Sequence, residues 1–142
     1  LLEEPDYEAD DLIGAFATHT TRPVRIVSSA KDLGQLICDR VTMLIPAAKN
    51  GFDIRDTTAC IEKFSVPPEL LVDYLALIGD NSDNIPGVPG IGPKSAAELL
   101  REQGAISTWL NEDVPTPSKH MKKIAGNESL IEKNIKLIQL KT

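Results

Sequence analysis

Residues Ala76 to Leu100 read ALIGDNSDNIPGVPGIGPKSAAELL, in which an acidic turn is followed by a turn rich in glycine and proline. In the second turn, glycines alternate with Val88 and Ile91, two apolar residues that can anchor a tight hairpin. Because glycine has no side chain, Gly87 and Gly90 leave backbone N–H groups accessible. The stretch therefore predicts two helices joined by a glycine hairpin.

The start of the second predicted helix has the features of an anion-binding site. Pro93 suits the first turn of a helix that is predicted from Lys94 to Arg101. The N–H groups of a helix N-terminus are unpaired and carry a partial positive charge, and the Lys94 side chain adds a full one. This order of residues predicts a helix-hairpin-helix that binds the phosphate backbone of DNA rather than an ordinary loop. A side chain at Gly92 would then block the phosphate and strain a backbone with positive φ.

Two acidic segments lie far apart in the sequence. Asp80 and Asp83 are three residues apart, so both carboxylates can reach one cation if the segment is helical or tightly turned. A capped turn without a metal is the alternative. Upstream, Glu8, Asp10 and Asp11 begin a predicted helix, where the helix dipole favours negative charge even without a metal. Helix capping and metal binding both remain open for this segment.

The charge is distributed unevenly along the 142 residues. The net charge of −6 argues at first against a nucleic-acid partner, because phosphate binding usually requires a basic excess. Residues 1–93 carry 15 acidic and 7 basic side chains, whereas residues 94–142 carry 6 acidic and 8 basic ones. This distribution is compatible with a metal-dependent enzyme that acts on phosphodiesters. Acyl transfer is disfavoured, since neither a Ser/His/Asp nor a Cys/His set is present.

Two kinds of segment follow one another along the chain. Residues 1–66 contain helix and strand patterns, with strands predicted at Pro23 to Ser28 and Val41 to Ile45, which indicates an α/β core with a parallel sheet. In such sheets, ligands bind at the carboxyl ends of the strands, close to Asp32. Residues 67–142 have helical patterns only, so we expect a helical region there.

The helical region and the composition give two further expectations. Lys119, Lys122 and Lys123 either contact a phosphate backbone or form a solvated face. No apolar run approaches the length of a membrane span and no signal peptide is visible, so we expect a cytoplasmic protein without a membrane partner.

These motifs resemble the 5′ to 3′ exonuclease domain of bacterial DNA polymerase I, within the flap endonuclease superfamily. The resemblance is carried by the acidic group Glu8 to Asp11, by SSAKDLGQL from Ser28 to Leu36, and by GDNSDNIPGVPGIGPKSAAELL from Gly79 to Leu100. It extends from about Tyr7 to Thr142, which is nearly the whole chain.

The resemblance implies a fold, a reaction and a set of site residues. The implied fold is a PIN-like, Rossmann-like parallel-sheet half domain at residues 1–66, which carries the metal site, and a helix-three-turn-helix DNA-binding region at residues 67–142. The implied reaction is hydrolysis of duplex or flap DNA with two divalent metals, Mg²⁺ or Mn²⁺, and K⁺ is expected at the hairpin. By resemblance, the metal ligands are Glu8, Asp10, Asp11, Asp32, Asp80 and Asp83, of which Asp11, Asp32, Asp80 and Asp83 are also catalytic, and the DNA-binding residues are Gly87, Gly90, Ile91, Gly92, Lys94 and Ser95.

Two features depart from the family pattern. Family members have Asp-Lys-Asp where this chain has Ala30, Lys31 and Asp32, and an alanine side chain cannot bind a metal. The family domain is also longer than this chain. We therefore expect the carboxyl-terminal portion of such a nuclease, weak or inactive alone, with an upstream nuclease half or a polymerase domain as a partner. The alternative is a non-catalytic module that binds DNA structures and whose metal site has decayed.

Overall fold

A small mixed sheet preceded by a helix forms the amino-terminal part of the molecule. The structure, a computed structural model, describes residues 1–110 and 120–141, apart from the side chain of Met121. The first elements are α1 (Ala9–His19), β1 (Val24–Val27), β2 (Val41–Pro46) and β3 (Phe52–Arg55).

The three strands are arranged in the order β1-β2-β3 and differ in direction. β1 and β2 are parallel, with Val24 opposite Val41, and a 3-10 helix at Lys31–Leu36 lies in the crossover between them. β3 is antiparallel to β2, with Leu44 opposite Ile54. The expectation of a parallel sheet is therefore wrong at this strand, because the short turn between β2 and β3 can join only antiparallel strands.

The rest of the described chain is mainly helical. Asp56 caps the next helix, since its Oδ1 accepts a hydrogen bond from the Ala59 N–H at 2.9 Å. Among the described residues, no helix is long and apolar enough to cross a membrane. The elements are α2 (Thr57–Phe64), a 3-10 helix (Pro68–Leu70), α3 (Leu71–Ile78), β4 (Gly79–Asp80), a 3-10 helix (Asn81–Asp83), β5 (Ile85–Pro86), α4 (Pro93–Gln103), a 3-10 helix (Ile106–Thr108), α5 (Met121–Ile124) and α6 (Glu128–Ile138).

α3 lies at the centre of the core. It contacts α4, α6 and the 3-10 helix of the β1-β2 crossover, so one hydrophobic core links the sheet region to the helical region. Leu71, Leu75 and Leu77 of α3 are buried, as is Leu33 of the crossover. Because α3 ends at the β4-β5 hairpin, this core fixes the position of the acidic turn between those two strands.

Candidate functional site

Three separate segments carry the acidic residues that the sequence singles out. Asp10 lies in the first turn of α1, and Asp32 lies in the 3-10 helix that follows β1. Asp80 and Asp83 lie in the β4-β5 hairpin, where Asp80 Oδ1 accepts a hydrogen bond from the Ser82 N–H at 3.0 Å. Asp80 is buried, Asp10 and Asp32 are half-buried, and Asp83 is exposed.

The charges of these segments act on one another. Burial raises the pKa of Asp32 from 3.8 to about 6, and the charges of Asp10 and Asp83 and, to a smaller extent, Asp80 add to this effect. A backbone hydrogen bond opposes the rise. Burial also raises the pKa of Asp10, with further contributions from Glu8, Asp83 and Asp11. The three segments therefore share one region of negative charge, which a divalent cation would neutralise.

The carboxylates do not form a closed coordination shell. Within residues 1–110 and 120–141, no group of three or more His, Cys, Asp or Glu side chains is arranged to hold a metal ion. Carboxylate oxygens are nevertheless the donors that Mg²⁺ and Mn²⁺ prefer, so the chemistry of the donors fits such a cation. The six predicted metal ligands remain predictions.

Asp11 differs from the other predicted ligands. It is buried, and its Oδ2 accepts a hydrogen bond from the Glu8 N–H at 3.3 Å, while its Oδ1 accepts one from the Lys141 N–H at 3.0 Å. Each oxygen thus accepts one backbone hydrogen bond and keeps a second acceptor site. The helix-capping interpretation accounts for the Glu8 contact, whereas nothing in the local sequence indicates the contact with Lys141, 130 residues away.

Ala30 lies immediately before the 3-10 helix that carries Asp32. Its backbone N–H donates a hydrogen bond to Ser28 Oγ at 3.1 Å, and its half-buried methyl group packs against the core. An aspartate at this position would be close in sequence to Asp32 and on the same loop. The alanine at this position supplies no oxygen donor for a metal ion.

Val88 and Ile91 anchor the glycine hairpin in the core, as predicted, and only 3% and 6% of them are exposed. Ile91 belongs to the predicted DNA-binding set, but its side chain is buried and its N–H donates to the Val88 carbonyl at 3.1 Å. Gly87 also packs inward, because a Cβ there would lie 2.3 Å from the carbonyl oxygen of Ile78. In the described conformation, Gly87 and Ile91 therefore stabilise the hairpin from inside.

Gly90 and Gly92 have different backbone conformations. Gly90 has a φ of +82°, the left-handed region that favours glycine. Gly92 precedes α4 with a φ of −99° and a ψ of −176°, and a Cβ built on it would meet no atom within 4 Å. Gly92 therefore does not have the positive φ at which a side chain would be strained, since this residue begins a helix from an extended conformation. Its exposed position leaves space for a ligand.

Two lysines lie beside the hairpin. Lys94 and Ser95 follow Pro93 in the first turn of α4, where backbone N–H groups have no partner within the helix. Lys123, from α5, donates a hydrogen bond through Nζ to the Gly90 carbonyl at 2.9 Å. From the sequence, a solvated face is one of two interpretations of this lysine, because a contact with a residue 33 positions away has no local signal. Lys119 lies outside the described residues.

Two family models match the sequence. The one described as "5'-3' exonuclease, N-terminal resolvase-like domain" matches residues 1–65, and the one described as "5'-3' exonuclease, C-terminal SAM fold" matches residues 66–142. The chain thus contains sequence from both domains, so its description as a carboxyl-terminal portion is too narrow. The mixed sheet belongs to the resolvase-like part, and the helices after residue 66 belong to the SAM-fold part.

Several curated proteins are similar in sequence. DNA polymerase I of Rhizobium leguminosarum is 40% identical over 99% of this chain and 14% of its own length. Thermostable DNA polymerase I of Thermus filiformis is 39% identical over 99% of this chain and 17% of its own length. The 5'-3' exonuclease of Aquifex aeolicus is 41% identical over 78% of this chain and 38% of its own length. The chain therefore spans well under half the length of these relatives.

Solved structures are similar in fold. The T5 D15 protein co-crystallized with metal ions has a TM-score of 0.84 and 25% identity, covering 99% of this chain and 52% of that one. The bacteriophage T5 D15 flap endonuclease in a pseudo-enzyme-product complex with DNA and metal ions has a TM-score of 0.81 and 25% identity, covering 95% of this chain and 50% of that one. With one model matched over residues 1–65 and the other over residues 66–142, the chain belongs to the 5'-3' exonuclease family.

Proposed function

We propose that this chain binds duplex or flap DNA and contributes to divalent-metal-dependent hydrolysis of its phosphodiester bonds. The observation that carries this proposal is that acidic residues from three segments lie close enough to act on one another: burial raises the pKa of Asp32 to about 6, and the charges of Asp10, Asp83 and Asp80 add to the rise. The relatives include a 5'-3' exonuclease and a flap endonuclease. Since the chain spans only part of their length, the activity of the whole protein is part of the proposal.

Asp10, Asp32, Asp80 and Asp83 would hold the divalent cation, with Glu8 at the edge of the same region of charge. A bound Mg²⁺ or Mn²⁺ supplies a water of lowered pKa and neutralises charge on the phosphate. The carboxylates have no such role without a cation, since their own negative charge repels DNA. Asp11 would also hold the start of α1 in place, because each of its two oxygens accepts a backbone hydrogen bond.

The hairpin and the start of α4 would bind the DNA backbone. Gly90 and Gly92 are exposed, and the first-turn N–H groups of Lys94 and Ser95 are directed to the N-terminal end of an eleven-residue helix. Lys123 adds a second ammonium group beside Gly90 and uses one of its three donors there. These contacts are to phosphate, so we expect binding with little sequence preference.

Cleavage of a 5′-flap duplex in Mn²⁺ tests this proposal. We expect weak release of labelled flap by the purified chain, lost on replacing Asp80 and Asp83 by asparagine. The matched control replaces Asp39 and Asp53, two exposed residues outside the acidic region, by asparagine and should release flap like wild type. Equal release by wild type and by the Asp80/Asp83 variant would show that these carboxylates do not take part.

A non-catalytic DNA-binding module is the second candidate. It is favoured by Ala30 and by the lack of a closed metal-binding group among the described residues. This candidate predicts duplex binding that is unchanged by Mn²⁺ and no release of flap at any protein concentration. The same cleavage assay, run beside a binding titration, separates the two candidates.

Three further expectations stay predictions. They are a polymerase domain or an upstream nuclease half as a partner, a cytoplasmic location, and K⁺ at the hairpin. For K⁺, one observation is relevant: the Gly90 carbonyl already accepts a hydrogen bond from the Lys123 ammonium group. A cation that binds this oxygen would compete with Lys123.

A further inference from the structure

The carboxyl-terminal end of the chain contacts all three acidic segments. We define the C-terminal brace as α6 together with residues 139–141. One hydrogen bond or more joins this brace to the start of α1, to the 3-10 helix that carries Asp32, and to the elements that flank the Asp80 turn. The partners are 48 to 130 residues apart in sequence.

Gln35 makes the contact with the Asp32 segment. Its Nε2 donates to the carbonyl oxygen of Asp32 at 2.8 Å and to that of Ile138 at 3.0 Å. Its Oε1 accepts a hydrogen bond from the Leu140 N–H at 3.1 Å. One amide group thus joins the backbone of Asp32 to the backbone of the brace at Ile138 and Leu140. No apolar side chain of similar size can make these three bonds.

Asn134 makes the contact with the acidic turn. It is 1% exposed and lies on the buried stripe of α6 between Ile131 and Ile138. Its Nδ2 donates to the carbonyl oxygens of Ala76 at 3.0 Å and Pro86 at 2.8 Å, which lie before and after that turn. Both the end of α3 and the return strand β5 are therefore held by one side chain.

The amide of Asn134 is costly at this position. Its Oδ1 is buried and has no hydrogen-bond partner in the described part of the chain. A buried acceptor without a partner destabilises the folded state, whereas an apolar residue would continue the stripe without that penalty. The side chain is therefore present for its two donors, which fix the distance between Ala76 and Pro86.

Asp11 and Lys141 complete the set. The Lys141 N–H donates to Asp11 Oδ1 at 3.0 Å, and the Lys141 ammonium lies 5.4 Å from the centroid of the Tyr7 ring. These contacts join the end of the brace to the first turn of α1, one residue from Asp10. All three acidic segments are therefore held by one element of the SAM-fold part of the chain.

We propose that Gln35 and Asn134 are positioning residues that set the relative placement of the three acidic segments, and thereby the affinity of the site for a divalent cation. This inference rests on the proposed function. It assigns to the C-terminal brace a role in the metal site, although the brace itself contributes none of the predicted ligands. The role is carried by amide groups that touch backbone, so it leaves the charge of the site unchanged.

The test uses the full chain with Gln35→Met and Asn134→Leu, two replacements of similar size that remove the amide. Gln139→Met is the matched control, because Gln139 is exposed in the same brace. The affinity for Mn²⁺ is measured by calorimetry well below the unfolding midpoint of each variant, and the free energy of unfolding is measured separately in EDTA. Gln35→Asn and Asn134→Gln, which keep an amide, test for partial rescue.

We expect Gln35→Met and Asn134→Leu to weaken Mn²⁺ binding about 10-fold, as found for groups that orient metal ligands. Gln139→Met should bind like wild type. If wild type binds Mn²⁺ and both variants bind it equally well, the brace only stabilises the fold and the proposal is overturned, while the proposed function stands.

If wild type itself binds no Mn²⁺, the proposed metal site is refuted. The positioning role of Gln35 and Asn134 is then tested by a measurement without metal. The ¹³C resonances of the aspartate carboxyl groups in EDTA report their surroundings. Gln35→Met should shift the resonance of Asp32, and Asn134→Leu should shift those of Asp80 and Asp83, whereas Gln139→Met should shift none of them. Unchanged carboxyl resonances in both variants would refute the positioning role.

Discussion

Replacing Asp32 with asparagine is expected to stabilise the metal-free protein at neutral pH. The folded protein raises the pKa of Asp32 from 3.8 to about 6 through burial and the charges of Asp10 and Asp83. In the unfolded chain, the same group loses its proton near its ordinary pKa. The folded state therefore binds more protons than the unfolded state between these two values, and stability falls as the pH rises through this window.

The magnitude follows from the size of this difference. The difference between the two pKa values corresponds to a change of about 3 kcal/mol in the free energy of unfolding, since each pKa unit corresponds to about 1.4 kcal/mol. Asp32 is only half-buried and water screens part of the interaction, so we expect about 1 to 2 kcal/mol. Asparagine keeps the shape of the side chain and removes its charge. The gain should be complete above pH 6 and absent below about pH 4.

Urea unfolding in EDTA at several pH values measures this gain. The control is Asp39→Asn, which removes an exposed carboxylate outside the acidic region. Asp39→Asn should change the free energy of unfolding by less than about 0.5 kcal/mol at every pH. A loss of stability in Asp32→Asn at pH 7, or a change that is the same at pH 4 and pH 7, would refute the interpretation that Asp32 lies in a shared region of negative charge.

The remaining predictions concern the hairpin and Ala30. Gly92→Val should weaken duplex binding strongly, because the side chain would occupy the space through which a phosphate approaches. It should leave the free energy of unfolding near that of wild type, because its Cβ would contact no protein atom; filter binding and urea unfolding measure the two effects. Gly87→Ala should instead destabilise the fold by about 1 to 3 kcal/mol, because its Cβ would lie 2.3 Å from the Ile78 carbonyl oxygen. Lys94→Ala should weaken duplex binding and flatten the slope of log affinity against log salt by about 0.9. Ala30→Asp should tighten Mn²⁺ binding in calorimetry, because it adds a carboxylate beside Asp32.

Each of these predictions has an outcome that contradicts it. Full duplex affinity in Gly92→Val would mean that no phosphate approaches this glycine. Wild-type stability in Gly87→Ala would argue against the close contact with α3. Lys133→Ala, at an exposed position of α6, serves as the control for Lys94→Ala. Equal salt slopes in both variants would mean that the hairpin is an ordinary loop that binds no phosphate. Unchanged Mn²⁺ affinity in Ala30→Asp would place this loop outside the site.

The sequence predicted the parts of the fold that depend on local patterns. The apolar anchors Val88 and Ile91 are buried as expected, and α4 begins at Pro93, because glycine, proline and helix-start signals act within a few residues. The acidic segments that influence one another were also identified, although their grouping required the resemblance. The predicted parallel sheet does not include the antiparallel β3, because the β-α-β pattern describes only strands that are joined by a crossover.

The contacts that join the acidic segments to the C-terminal brace could not be predicted from the sequence. Gln35 and Asn134 are an ordinary glutamine and an ordinary asparagine until the fold places them beside backbone carbonyls 103 and 58 residues away. Likewise, the conformation of Gly92 depends on where α4 begins, and Lys123 reaches Gly90 only after α5 has docked. Such pairings depend on tertiary packing, for which a single sequence carries no local signal.

Titration of the metal-free chain with Mn²⁺ in a calorimeter at pH 7.5, with the Asp32→Asn and Asp39→Asn variants beside it, determines whether the three acidic segments form one divalent-cation site. We expect saturable binding by wild type and by Asp39→Asn, and binding at least about 10-fold weaker in Asp32→Asn, because a carboxylate from one of the three segments is lost. Equal binding by all three proteins, or no binding by any of them, would contradict the claim that these acidic segments form one divalent-cation site.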